Sequence, residues 1–210
     1  MRYPLEYIGE EEVHPLYYRY INSILSKNLR YTITELEELK LTHWGLKSAA
    51  KNIYSKYAYN INLLKDPQAI FSIPWLAKNF NLKNIILTRH PAAFAGSFML
   101  RNWPFDLSFL LEQRNLMKNV LFPFEKEMIR FQNSNKDKLE FCIIVWNIIN
   151  HVIMEYKARF PNWYYITHEN ISLNPKKEFS KMFNYIEMEI NPDVLDFLEK
   201  TQKENYIPTE

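Results

Sequence analysis

From Pro15 the apolar positions Leu16, Tyr17, Tyr20, Ile21, Ile24 and Leu25 recur at helical spacing, which predicts an amphipathic helix from Pro15 to about Ser26. A second helical stretch is predicted from about Thr42 to Tyr57. Residues 1 to 14 lack the period and carry Pro4, Gly9 and the acidic triplet Glu10 to Glu12, so they read as a loop. Residues 1–58 are thus expected to form a helical N-terminal cover.

The pattern then changes from helical spacing to short apolar runs that each stop at a turn. Asn60-Ile61-Asn62-Leu63-Leu64-Lys65 ends at Asp66-Pro67, where Asp suits a helix cap and Pro the first helical position. A helix to about Phe80 follows, then the β-branched run Lys83-Asn84-Ile85-Ile86-Leu87-Thr88, which ends at Arg89-His90-Pro91 with Pro91 opening another helix. After a helical insertion over 104–160, Trp163-Tyr164-Tyr165-Ile166-Thr167 ends at His168-Glu169, and Asn174-Pro175 opens a helix to about Met188. Three strands alternating with helices predict an α/β fold, a parallel sheet with flanking helices and right-handed crossovers. The 210 residues suit one domain, with the α/β core over 60–190.

In such a sheet a ligand sits beyond the carboxyl ends of the strands, where helix N-termini present N–H groups and a partial positive charge. Lys65-Asp66, Arg89-His90 and His168-Glu169 all fall at predicted strand exits. Arg89 is the leading candidate, because its exit is followed by the small residues Ala92, Ala93, Ala95 and Gly96, and Ala93, Ser97 and Arg101 share one helix face. A guanidinium with paired N–H donors and a hydroxyl on the next helix make a workable phosphate site. The same two residues also fit a plain structural role, with Arg89 paired to a carboxylate at the sheet edge and Ser97 bonded back to the carbonyl of Ala93.

Charge and composition narrow the partners. Lys plus Arg number 26 and Asp plus Glu 24, a net charge of +2 that supplies no excess of basic groups for a nucleic-acid backbone. Only three glycines occur, far apart, and neither G-x-x-x-x-G-K-[ST] nor G-x-G-x-x-G is present, so any nucleotide is held without a glycine-rich loop. The longest uncharged run, Phe141 to Met154, has 14 residues and includes Asn147, Asn150 and His151, which predicts no membrane span and no membrane partner. The lone Cys142 and the absence of a signal-like apolar segment at the start predict a reducing, cytoplasmic location.

Several motifs in order resemble the sulfotransferase family, in its bacterial sulfotransferase-like group. They are Lys65-Asp66-Pro67-Gln68-Ala69-Ile70-Phe71-Ser72 with Trp75-Leu76-Ala77; Arg89-His90-Pro91-Ala92-Ala93 with Ser97 and then Arg101-Asn102-Trp103-Pro104-Phe105; and Trp146 through Phe160-Pro161-Asn162-Trp163 to His168-Glu169-Asn170 and Asn174-Pro175. The resemblance covers roughly residues 1 to 190. It implies a P-loop-nucleotide-hydrolase-like sulfotransferase fold, the co-substrate 3′-phosphoadenosine-5′-phosphosulfate (PAPS), and transfer of its sulfuryl group to a hydroxyl or amine of a small-molecule acceptor. Arg89 and Ser97 match the family's ligands for the 3′-phosphate. Lys65 matches a lysine that family members place near the transferring group, where its ammonium would neutralise charge on the leaving phosphate oxygen; a solvated charge at a strand end is the alternative. The family's Gly-, Ser- and Thr-rich first loop and its closing basic segment have no counterpart here, so the expected fold is N-terminally truncated, and a non-catalytic remnant is the alternative function.

No general base stands out. His90 either faces the site or caps the turn, Asp66 reads as a helix cap, and His168 as a structural partner at its strand end. No histidine pair has metal-ligand spacing, so no metal is expected. Trp146 falls with Leu139, Cys142, Ile143, Ile149 and Ile153 on a predicted packing stripe, whereas Trp75 and Trp103 lie nearer the presumed site. The segment from Asp106 to Ser134, with Met117, Phe122, Phe124 and Met128, either lines an apolar acceptor pocket or covers the sheet.

Overall fold

The computed structural model describes residues 6–25, 63–67, 69–101, 103 and 105–204. The predicted helix from Thr42 to Tyr57 and the first half of the predicted strand at Asn60 lie outside them.

Helix α1 spans Pro15–Leu25. It opens at a His-Pro pair, and the Nδ1 of His14 accepts the backbone N–H of Tyr17 at 3.2 Å, satisfying one of the helix's first N–H groups. A 3-10 turn over Ala69–Ser72 leads into α2, Ile73–Phe80, which ends at Asn81 in the left-handed region with φ 48°. Strand β1, Ile85–Thr88, then delivers the chain to α3, Pro91–Met99.

The segment between the strands is helical, as expected. It runs through α4, Ser108–Leu111, and α5, Arg114–Leu116, which continues through a π-helical turn at Met117–Leu121 and a 3-10 turn at Phe122–Phe124 into α6, Glu125–Gln132. Helix α7, Lys138–Arg159, is capped by Asp137, whose carboxylate accepts the N–H of Glu140 at 2.8 Å. Strand β2, Tyr164–Thr167, is followed by α8, His168–Leu173, α9, Pro175–Tyr185, and α10, Pro192–Glu204.

The two strands pair in parallel, from Ile85 opposite Tyr164 to Thr88 opposite Thr167. The protein is therefore mixed α/β, mostly helical, with a two-stranded parallel sheet among the described residues. The first of the three expected strands is not seen where it is described: Leu63, Leu64 and Lys65 are irregular. Leu64 packs instead against the apolar cluster of Ile8, Tyr17, Ile21, Ala69, Trp75 and Leu76, so burial of that side chain fixes the segment without a strand ladder. Helix α10 was not foreseen; it packs on α9 and is tied to it by Lys176 and Glu199 at 3.1 Å.

The main core joins one face of the sheet, through Ile86, to α7 and the insertion. Leu107, Leu116, Leu121, Met128, Phe131 and Ile144 are fully buried in it. Each such side chain contributes about 1.5–3 kcal/mol of burial. Met117 and Met128 are core residues, which answers the sequence alternative for them in favour of covering the sheet. Helix α7 has 22 residues, longer than the uncharged run inside it, and by length and composition alone is long and apolar enough to cross a membrane. Here eight of its side chains are buried within the protein. Its predicted packing stripe is only partly right, since Cys142 and Ile153 are buried whereas Leu139 and Ile143 are exposed.

Candidate functional site at the strand exits

Because β1 and β2 run in parallel and in register, their exits lie side by side. Thr88 opposes Thr167, which sets Arg89 and His90 against His168 and Glu169. The backbone N–H of His90 donates to Oε1 of Glu169 at 3.0 Å, and this bond is the direct link between the two turns. Together with the N–H of Glu169 itself, it holds the Glu169 carboxyl below the usual carboxylate range, with smaller help from the imidazoles of His168 and His90.

Arg89 is held by its backbone. Its carbonyl accepts the indole N–H of Trp146 at 2.9 Å, so α7 fixes the turn on which the guanidinium is carried. The guanidinium is exposed, and no sheet-edge carboxylate pairs with it among the described residues. The hydroxyl of Ser97, half-buried two turns into α3, likewise makes no hydrogen bond to a described residue, including the carbonyl of Ala93. A Cβ added at Gly96 would meet nothing within 4 Å, which leaves the neighbouring helix face open.

His90 caps α3. Its Nδ1 accepts the N–H of Ala92 at 3.2 Å, as His14 does at the other His-Pro helix start. The contact is the turn cap that the sequence offered as the alternative to a site-facing role. His168 Nδ1 lies 3.4 Å from the hydroxyl of Ser172, one turn on in α8, consistent with a structural partner at the strand end.

Lys65 makes no described contact with this constellation. It is exposed in the irregular segment before Asp66, and no hydrogen bond, ion pair or ring contact among the described residues joins it to the Arg89 turn. Trp75 is removed from the candidates: it is 1% exposed, packs on Tyr17 with ring centres 5.3 Å apart, and donates its indole N–H to the carbonyl of Glu12 at 2.8 Å. Trp103 is 54% exposed. An open cleft of about 480 Å³ lies elsewhere, between residues 10–19 and α2. Its carboxylates are already engaged, Glu10 with Arg159, Glu11 with Lys78 and Glu12 with the N–H of Gly9.

The arrangement at the exits leaves the Arg89 guanidinium and the Ser97 hydroxyl without partners among the described residues. It also sets the Glu169 carboxylate against the His90 backbone, a negative charge fixed at the same turn. Sequence reasoning placed Glu169 at the exit without its contact, and placed Trp146 in a packing stripe. Register could have exposed the first, since equal strand lengths put the two exits level; the Trp146 bond spans 57 residues and leaves no local signal. Compared with family models, with curated proteins and with solved structures, the chain matches none.

Proposed function

We infer that the protein is sulfotransferase-like, binds the 3′-phosphate of 3′-phosphoadenosine-5′-phosphosulfate through Arg89 and Ser97, and transfers the sulfuryl group to a hydroxyl or amine of a small acceptor. One observation carries the reading: on a single strand, turn and helix, the guanidinium of Arg89 and the hydroxyl of Ser97 both lack partners among the described residues. A charged group and a hydroxyl left so at a parallel strand exit suit an anionic ligand better than a structural role. The P-loop-nucleotide-hydrolase-like sulfotransferase fold belongs to the same reading and rests on the ordered motifs.

In the transfer, the bond from sulfur to the 5′-phosphate oxygen breaks as a bond from sulfur to the acceptor oxygen or nitrogen forms. The acceptor's proton passes to solvent water, and the negative charge left on the phosphate is where a lysine such as Lys65 acts by neutralisation. A second reading is a non-catalytic module that keeps only the phosphate site. It is favoured by Lys65, which sits in an irregular segment with no described link to the Arg89 turn.

Calorimetry tests the binding half. Adenosine 3′,5′-bisphosphate is expected to bind more tightly than adenosine 5′-monophosphate, and Arg89→Ala to erase the preference at a cost of about 1.5–3 kcal/mol for a charge-assisted bond. Equal affinity for the two nucleotides would overturn the assignment. Binding without transfer of labelled sulfate to phenols, alcohols or amines would select the second reading.

A further inference from the structure

The chain has five tryptophans, of which Trp75, Trp103, Trp146 and Trp163 are described. Three of these have a partner for the ring. Trp75 packs on Tyr17 and Phe80, Trp163 stacks on Phe160 with ring centres 4.2 Å apart, and Trp103 meets the ring of Phe98 edge-on at 5.6 Å and lies under the guanidinium of Arg101. Trp146 is the exception: its ring meets no aromatic ring and no cation among the described residues. It is half-buried, and it is not among the side chains that pack against either apolar cluster, so the packing stripe expected from its spacing does not include it. A ring of that size ordinarily contributes by being covered.

The indole is nevertheless anchored. Its N–H donates to the carbonyl of Arg89 at 2.9 Å, so one edge of the ring is tied to the turn whose guanidinium has no described partner. Ile143, three residues back and on the same side of α7, is 50% exposed, so this stretch of the helix is not covered over. A fixed edge and unengaged faces are what a stacking platform needs, because the ring is oriented before a ligand arrives and little freedom is lost on binding. Every nucleobase offers a π face to such a ring. The aromatic side chains of the neighbouring α3 are committed elsewhere: Phe94 and Phe98 pack against the main core.

We propose that Trp146 is the platform on which the base of the nucleotide stacks when its 3′-phosphate is held by Arg89 and Ser97. The proposal rests on the phosphate reading of those two residues and adds what they lack, a contact that tells a nucleotide from any other phosphate ester. One ligand can use both, because a nucleotide carries its base and its 3′-phosphate on a single ribose, and the indole is bonded to the backbone of the same residue that carries the guanidinium.

Calorimetry on the full chain compares adenosine 3′,5′-bisphosphate with methyl ribofuranoside 3,5-bisphosphate, which keeps both phosphates and has no base. The wild-type protein is expected to favour the adenosine ligand about tenfold, the usual scale of one base on one aromatic ring. Trp146→Leu is expected to remove that preference. Trp146→Phe also loses the N–H to Arg89 but keeps an aromatic face, and is expected to retain most of it; an effect on the Arg89 turn alone would weaken both ligands equally and leave the ratio unchanged. The adenosine ligand is further expected to quench tryptophan emission in the wild type and much less in Trp146→Phe. The wild-type comparison needs no variant, so the test stands even where a substitution unfolds the chain. Equal wild-type affinity for the two ligands overturns the proposal and leaves the phosphate site standing, and so does a preference that a folded Trp146→Leu protein keeps. Binding of neither ligand overturns the phosphate reading and this proposal with it.

Discussion

Glu169 and His90 sit at the ends of paired parallel strands, and the carboxylate of the first accepts the backbone N–H of the second at 3.0 Å. One bond therefore ties the start of α8 to the start of α3. It also places a negative charge where the sequence pattern calls for a bound anion, so the same contact that fixes the turn competes with a ligand for it.

The bond has a pH signature. The Glu169 carboxyl is held below its ordinary value of 4.5, chiefly by the His90 N–H, so the folded state binds this proton less readily than the unfolded chain. Its contribution is fully present above the unfolded value and is lost as pH falls through the lower folded one. Urea denaturation of wild type and Glu169→Gln is expected to show a difference at pH 7 that shrinks on acidification below 4.5. A difference that grows in acid contradicts the assignment.

His90→Ala removes the side-chain acceptor for the Ala92 N–H and is expected to cost about 1 kcal/mol, the usual loss for a helix cap. His90→Asn restores an acceptor suited to that position and is expected to recover most of it. Equal destabilisation by both substitutions would show that ring packing, not the cap, is what matters at His90.

The sequence carried the elements whose signals are local. Pro15, Pro91 and Pro175 mark helix starts that the structure reproduces to the residue, because proline fixes φ and lacks the N–H that a first turn leaves unbonded. Strands β1 and β2 fall inside the predicted runs Lys83 to Thr88 and Trp163 to Thr167, whose β-branched and aromatic side chains favour a strand. The run ending at Lys65 misled: an apolar stretch of that length does not reveal whether it pairs or only packs, and Leu64 packs. The exposure of Leu139 and Ile143 was hidden because helical spacing groups residues on a face without saying what covers that face.

Tyr156 spans the core to donate its hydroxyl to the carbonyl of Ile70 at 2.9 Å, and burial pushes its ionisation far above that of an ordinary tyrosine. Tyr156→Phe keeps the ring and leaves a buried carbonyl without its donor, so a loss of about 1–3 kcal/mol is expected in urea titration. A neutral effect would mean that the Ile70 carbonyl finds another donor when the hydroxyl is gone.

Kinetics separates the two charged residues of the proposed function. Arg89 is assigned to a phosphate that does not react, so Arg89→Ala is expected to weaken nucleotide binding in the ground and transition states alike and to appear mainly in KM. Lys65 is assigned to charge that develops on the leaving oxygen, so Lys65→Ala is expected to lower kcat and leave adenosine 3′,5′-bisphosphate affinity unchanged. Lys65 is exposed and makes no described contact, so its removal costs the fold little and any change in rate reports on chemistry. A Lys65→Ala protein that transfers labelled sulfate as fast as wild type would return Lys65 to the status of a solvated charge. It would also leave Arg89 as the only charged residue with an assigned part in the reaction.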